Sequence, residues 1–81
     1  MRTPEMVRNE KISHLEYCME KLLQKDNGYN ELEIKRLYTL IYRVVCKMRE
    51  MDAEKALAYF VNSIDSEVRM SLSRLNIELV V

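Results

Sequence analysis

An all-α fold, a compact bundle of three or four helices, follows from three features of this 81-residue chain. Glycine and proline occur once each, too few for the hairpins of a turn-rich β domain. Apolar residues recur at three- and four-residue intervals over most of the length. The chain is 48% apolar and 32% charged, the balance of a globular protein rather than a disordered one. One small domain, residues 1–81, is the ceiling at this length. So short a chain buries a modest share of its surface, and needs well-packed helices or association to be stable.

Thr3-Pro4-Glu5 reads as a helix start: a hydroxyl cap, proline at the first helical position and an acid in the first turn. Ile12, Leu15, Met19 and Leu22 then fall on one face, widened by Cys18 and Leu23. Asp26-Asn27-Gly28 is the stop, with Gly28 as the left-handed terminal residue. The first helix is therefore about residues 4–26. Asn30 with Glu33 has the spacing of a capping box and opens a second helix, about 31–50. Ile34, Leu37, Ile41, Val44, Met48 and Met51 keep heptad spacing, and Tyr38, Tyr42, Val45 and Cys46 run beside them. Tyr, Val and Ile also suit a strand, but some twenty residues without a breaker favour the helix.

Asp52 is the cap of a third helix, about 52–62, with Ala53, Ala56, Leu57, Phe60, Val61 and Ile64 as its apolar face. Asp65 or Ser66 caps a fourth, about 65–77, carrying Val68, Leu72 and Leu75. The same residues also fit one continuous helix, because Val61, Ile64, Val68, Leu72, Leu75 and Leu79 keep the 3-4 rhythm. The tail, Ile77 to Val81, is too apolar for a free end and is expected on its own core or on a partner.

The apolar surface of the second helix covers more than half its circumference, where a peripheral helix needs about a third. Such a helix belongs at the centre of a bundle. Two or three neighbours from one short chain cover it poorly, so a homodimer through this helix and the C-terminal segment is expected.

Composition also limits function. Thirteen basic and thirteen acidic residues leave no net charge, hence no global field to draw nucleic acid or a membrane surface. No apolar run is long enough to span a bilayer, and the N-terminus lacks the apolar core of a signal peptide. Cys18 and Cys46 are too few for a disulfide framework. Free thiols in a reducing cytoplasm are the expectation. His14 and Cys18 lie four apart on one face, but a pair falls short of the three or four ligands of a zinc site. No glycine-rich phosphate loop or paired-histidine motif occurs. The expectation is a protein without catalytic residues, cofactor or metal.

Residues 53–76 match a helix-turn-helix pattern, with Leu57, Ala58 and Val61 inward on its first helix and Asn62 at the tight turn. Val68, Leu72 and Leu75 would face inward on the recognition helix, and Ser66, Arg69, Ser73 and Arg74 outward. The apolar 77–81 tail would begin a wing strand. In this the chain resembles many small bacterial regulators, which implies DNA binding. Charge opposes it: residues 53–81 hold Lys55, Arg69 and Arg74 against Glu54, Asp65, Glu67 and Glu78. Cations gather instead on the second helix, at Lys35, Arg36, Arg43, Lys47 and Arg49.

Ile12, Leu15, Met19, Gly28, Glu33 and Ile34 give residues 12–45 a hairpin pattern similar to the small sporulation aspartyl-phosphate phosphatases. That family carries Ser-Gln-x-x-Asp on its second helix. Here the stretch is Tyr38-Thr39-Leu40-Ile41-Tyr42, so the resemblance implies the hairpin and no phosphatase activity.

The sequence thus predicts a small regulator that docks on an unidentified protein and occludes its working surface. Tyr38, Tyr42, Cys46 and Met70 are its candidate partner or dimer contacts. The alternative is the helix-turn-helix regulator.

Overall fold

The computed structural model describes residues 2–25 and 27–79. Among them are four helices and no strand: α1 (Pro4–Gln24), α2 (Glu31–Glu50), α3 (Ala53–Ser63) and α4 (Ser66–Arg74). The fold is an all-α bundle.

Three of the four N-termini are closed by side chains. Thr3 Oγ1 accepts from the Met6 amide at 3.2 Å, Asp52 Oδ1 from Lys55 at 3.1 Å, and Asp65 Oδ1 from Val68 at 3.1 Å. Each satisfies an amide that the helix itself leaves without an acceptor. Asn30 departs from the expected capping box. Its side chain makes no cap bond, and Glu33 turns away to pair with Arg74 at 3.0 Å.

α1 stops at Gln24 with Lys25 as its right-handed C-cap. Asp26, in the stop expected from sequence, lies outside the described residues. Gly28 does have positive φ, +88°, but it sits beyond that cap and turns the chain into α2. The α3–α4 break falls at Ile64 and Asp65, so residues 53–74 form two helices. Asn62 does not make the turn, because it is inside α3.

Among the described residues, the left-handed non-glycine residue is Asn76, at φ 60°. It ends α4 in a paired-bond stop. The Asn76 amide donates to the Ser73 carbonyl and the Ile77 amide to the Leu72 carbonyl, both at 2.9 Å. Leu72 and Ile77, the apolar pair that accompanies this stop, are both buried. The turn sends the chain back toward α1, where the Glu78 carbonyl meets His14 Nε2 at 3.2 Å. The tail therefore starts no wing strand: Ile77 joins the core and Leu79 packs against it. Val80 and Val81 lie outside the described residues.

α1, α2 and α3 pack on one another. α1 and α2 run antiparallel, since Arg8 donates to the Met51 carbonyl at 3.1 Å and Glu16 pairs with Arg49 at 2.6 Å. The core holds Leu15, Cys18 and Leu22 of α1, Ile41, Val44, Val45 and Met48 of α2, and Phe60 of α3. Ile64 sits in the break, and Val68 and Leu72 bring α4 into the same cluster. No buried polar or charged residue occurs among the described residues. The expected apolar face of α3 is narrower than its composition suggests. Val61 is 62% exposed and Ala58 is also outside, because Ala53, Ala56 and Phe60 already define the inward side.

Four variants check these local assignments by urea denaturation. Asp65→Ala is expected to cost about 1 kcal/mol and Asn30→Ala almost nothing. Asn76→Gly is expected to be tolerated, whereas Asn76→Val should cost about 1–2 kcal/mol through the strained left-handed backbone.

Candidate interaction surfaces

α2 offers two separate flanks to solvent, one on either side of its buried arc. The first carries Tyr38, Tyr42 and Cys46, spaced by four and so stacked along one line. Tyr38 is half-buried against the core, Tyr42 is 53% exposed and Cys46 is half-buried. Arg49, four residues beyond Val45, ties this side of α2 to Glu16 of α1.

Met70 does not join that stripe. It is exposed on α4, and α4 is held to the opposite flank of α2 by the Arg74–Glu33 pair. Glu33 and Leu40 are seven apart on that second flank, whereas Tyr42 and Cys46 lie around the other side of the helix. The four candidate contacts thus divide into a set of three and a distant one.

The second flank is a groove that the sequence reading missed. Leu40 and Val44 of α2 face Tyr59 and Ser63 of α3 across it, and Lys35, Arg36 and Arg43 edge it. Past Leu40 and Ser63 it continues between α2 and α4, where Asp65, Glu67 and Val68 line it together with Leu32 and Tyr29. One signal was available: Arg36, Leu40 and Arg43 follow i, i+4, i+7 spacing, which places an apolar residue between two cations on one line. The α3 and α4 walls are remote in sequence and gave none.

Electrostatically the groove is graded. Lys35 pairs with Glu31 at 3.0 Å and Glu33 with Arg74 at 3.0 Å. Arg36, Arg43 and Glu67 have no ion pair among the described residues. Arg43 lies at the α3 end, Glu67 at the α4 end, and Arg36 lines both stretches.

Ser66, Arg69, Ser73 and Arg74 are all exposed on α4. Arg74 is engaged by Glu33 and by Ser71 Oγ, each at 3.0 Å. Of the helix-turn-helix core, Val68, Leu72 and Leu75 are buried. Leu57 is half-buried, and Ala58 and Val61 point out.

Cys18 is fully buried, and desolvation pushes its thiol up from the ordinary range. That favours the neutral thiol over the thiolate that chemistry needs. His14 stacks on Tyr17 with ring centroids 5.9 Å apart. A carbonyl can only accept, so the bond to Glu78 requires a proton on Nε2. No three His, Cys, Asp or Glu side chains converge as metal ligands among the described residues. No described helix is long and apolar enough to cross a membrane.

The α1–α2 hairpin is present, and the Tyr38–Tyr42 stretch of α2 supplies no carboxylate. No protein-family model matches this chain, and no curated protein or solved structure does either.

The two thiols should separate in labelling at mildly alkaline pH. Cys46 is expected to react in the native state, and Cys18 only as fast as the protein opens. The raised Cys18 pKa also has a sign. Above about pH 8.5 the unfolded thiol ionises first. Folding stability should then fall as pH rises toward the folded-state value, by more in the wild type than in Cys18→Ala. Equal labelling of both thiols in the native state would contradict the burial.

Proposed function

We propose that this chain is a small non-enzymatic regulator of the cytoplasm that binds a protein partner and covers part of that partner's working surface. The observation that carries the reading is the stripe of Tyr38, Tyr42 and Cys46. It lies on α2, with Tyr38 packed against the core, Cys46 half-buried and Tyr42 53% exposed. Tyrosine is a favoured anchor at protein interfaces, because a large amphipathic ring orders at low entropy cost. A rigid helix presents such anchors without a further folding step. Two free thiols suit a reducing compartment.

A DNA-binding reading has one observation in its favour. α3 and α4 are separate helices joined by a short break, and Ser66, Arg69 and Ser73 are outward on the second. Against it, Arg74 is occupied by Glu33, and the segment carries a slight excess of acid.

One set of variants tests both. A protein captured by the wild type should be retained by Arg69→Ala and bound at least about tenfold more weakly by Tyr42→Ala, a loss of at least about 1.4 kcal/mol. Helicity should be unchanged. Partner binding indifferent to Tyr42→Ala contradicts the stripe. Salt-sensitive binding to a DNA duplex, weakened about 1–3 kcal/mol by Arg69→Ala, would favour the DNA reading instead.

A further inference from the structure

We infer that the groove between α2, α3 and α4 is a self-association site that takes a second copy of this chain, packed antiparallel about a two-fold axis near Leu40. The inference stands apart from the partner-docking reading, which uses the opposite flank of α2.

The groove has an apolar floor with too little of its own chain over it. Leu40 is 38% exposed and Tyr59 half-buried beside the buried Val44, and at the far end Leu32 is 67% and Tyr29 95% exposed. Apolar side chains in one continuous line are a surface that water disfavours. Length permits a partner: from Glu31 to Val44 the α2 wall runs about 20 Å. A stable interface covers about 800 Å² on each side, roughly a seventh of the 5680 Å² this chain exposes.

Charge selects the occupant. Arg43 leaves positive charge at the α3 end and Glu67 negative charge at the α4 end, with Arg36 lining both stretches, and none of the three has an ion pair among the described residues. A two-fold interface sets each end of one copy against the opposite end of the other. Arg43 of one copy then faces Glu67 of the second, and the reverse contact forms by symmetry. Leu40 meets its own counterpart near the axis. An acidic peptide would complement Arg36 and Arg43 but would be repelled at Glu67. A second copy satisfies both ends, and the zero net charge of the chain opposes no such pairing.

The test is the solution mass of the full chain against concentration, at low salt, with four variants. The wild type should pass from the 9.7 kDa monomer to twice that mass. Arg43→Glu and Glu67→Lys should each raise the dimer dissociation constant at least about tenfold. An equimolar mixture of those two should restore dimerisation, because every repulsive contact becomes an attractive one in the mixed pair. Leu40→Asp should abolish association while circular dichroism stays helical, and Tyr42→Ala should leave the mass unchanged. A wild type that stays monomeric at every concentration overturns the inference. So does a dimer indifferent to Arg43→Glu and Leu40→Asp, or a mixture that fails to restore dimerisation.

Discussion

The burial of one side of α2 is the constraint on which the rest of this small molecule depends. Ile34, Leu37, Ile41, Val44, Val45 and Met48 are all taken out of water. Each such side chain contributes about 1.5–3 kcal/mol by burial, and no other helix here supplies as many. α1 covers the arc from one side through Leu15, Cys18 and Leu22, and α3 from the other through Ala56 and Phe60. α4 and the returning tail close the remaining end with Leu72, Leu75 and Ile77. The arc is satisfied, but the apolar residues of α2 extend past it on both edges.

Those edges leave one helix with two partly exposed apolar flanks. On the α1 side the excess is aromatic and sulfur-bearing. On the α3 and α4 side it is a leucine between two arginines, continued by Leu32 and Tyr29. The exposed ion pairs Glu16–Arg49 and Glu33–Arg74 add little stability, as solvated pairs do. Each joins an outer helix to a different side of α2.

Much of the architecture was legible because its signals are local. The bounds of α2, the caps at Thr3, Asp52 and Asp65, and the inward set Val68, Leu72 and Leu75 each depend on residues a few positions apart. Where competing groups decide, sequence misled. Asn30 looked like half of a capping box, but Glu33 is drawn off by Arg74 forty-one residues away. Asn62 looked like a turn, yet the left-handed residue is Asn76, fixed by the need to bury Leu72 and Ile77 together. Val61 kept the apolar rhythm and points out, because the rhythm is shared by two helices that break at Ile64. Of the candidate contacts, Tyr38, Tyr42 and Cys46 share one helix and one line. Met70 was grouped with them by composition alone. The groove was invisible because its walls come from three helices.

The claim at the centre of this account is that α2 is the unit on which the other helices fold. Native-state hydrogen exchange, read amide by amide, tests it most directly. Amides from Ile41 to Val45 should exchange only through global unfolding, with the highest protection in the chain. α4 and the tail should open at lower free energy. Faster exchange along the middle of α2 than along α1 would contradict the account, and would make α1 the support on which α2 is carried.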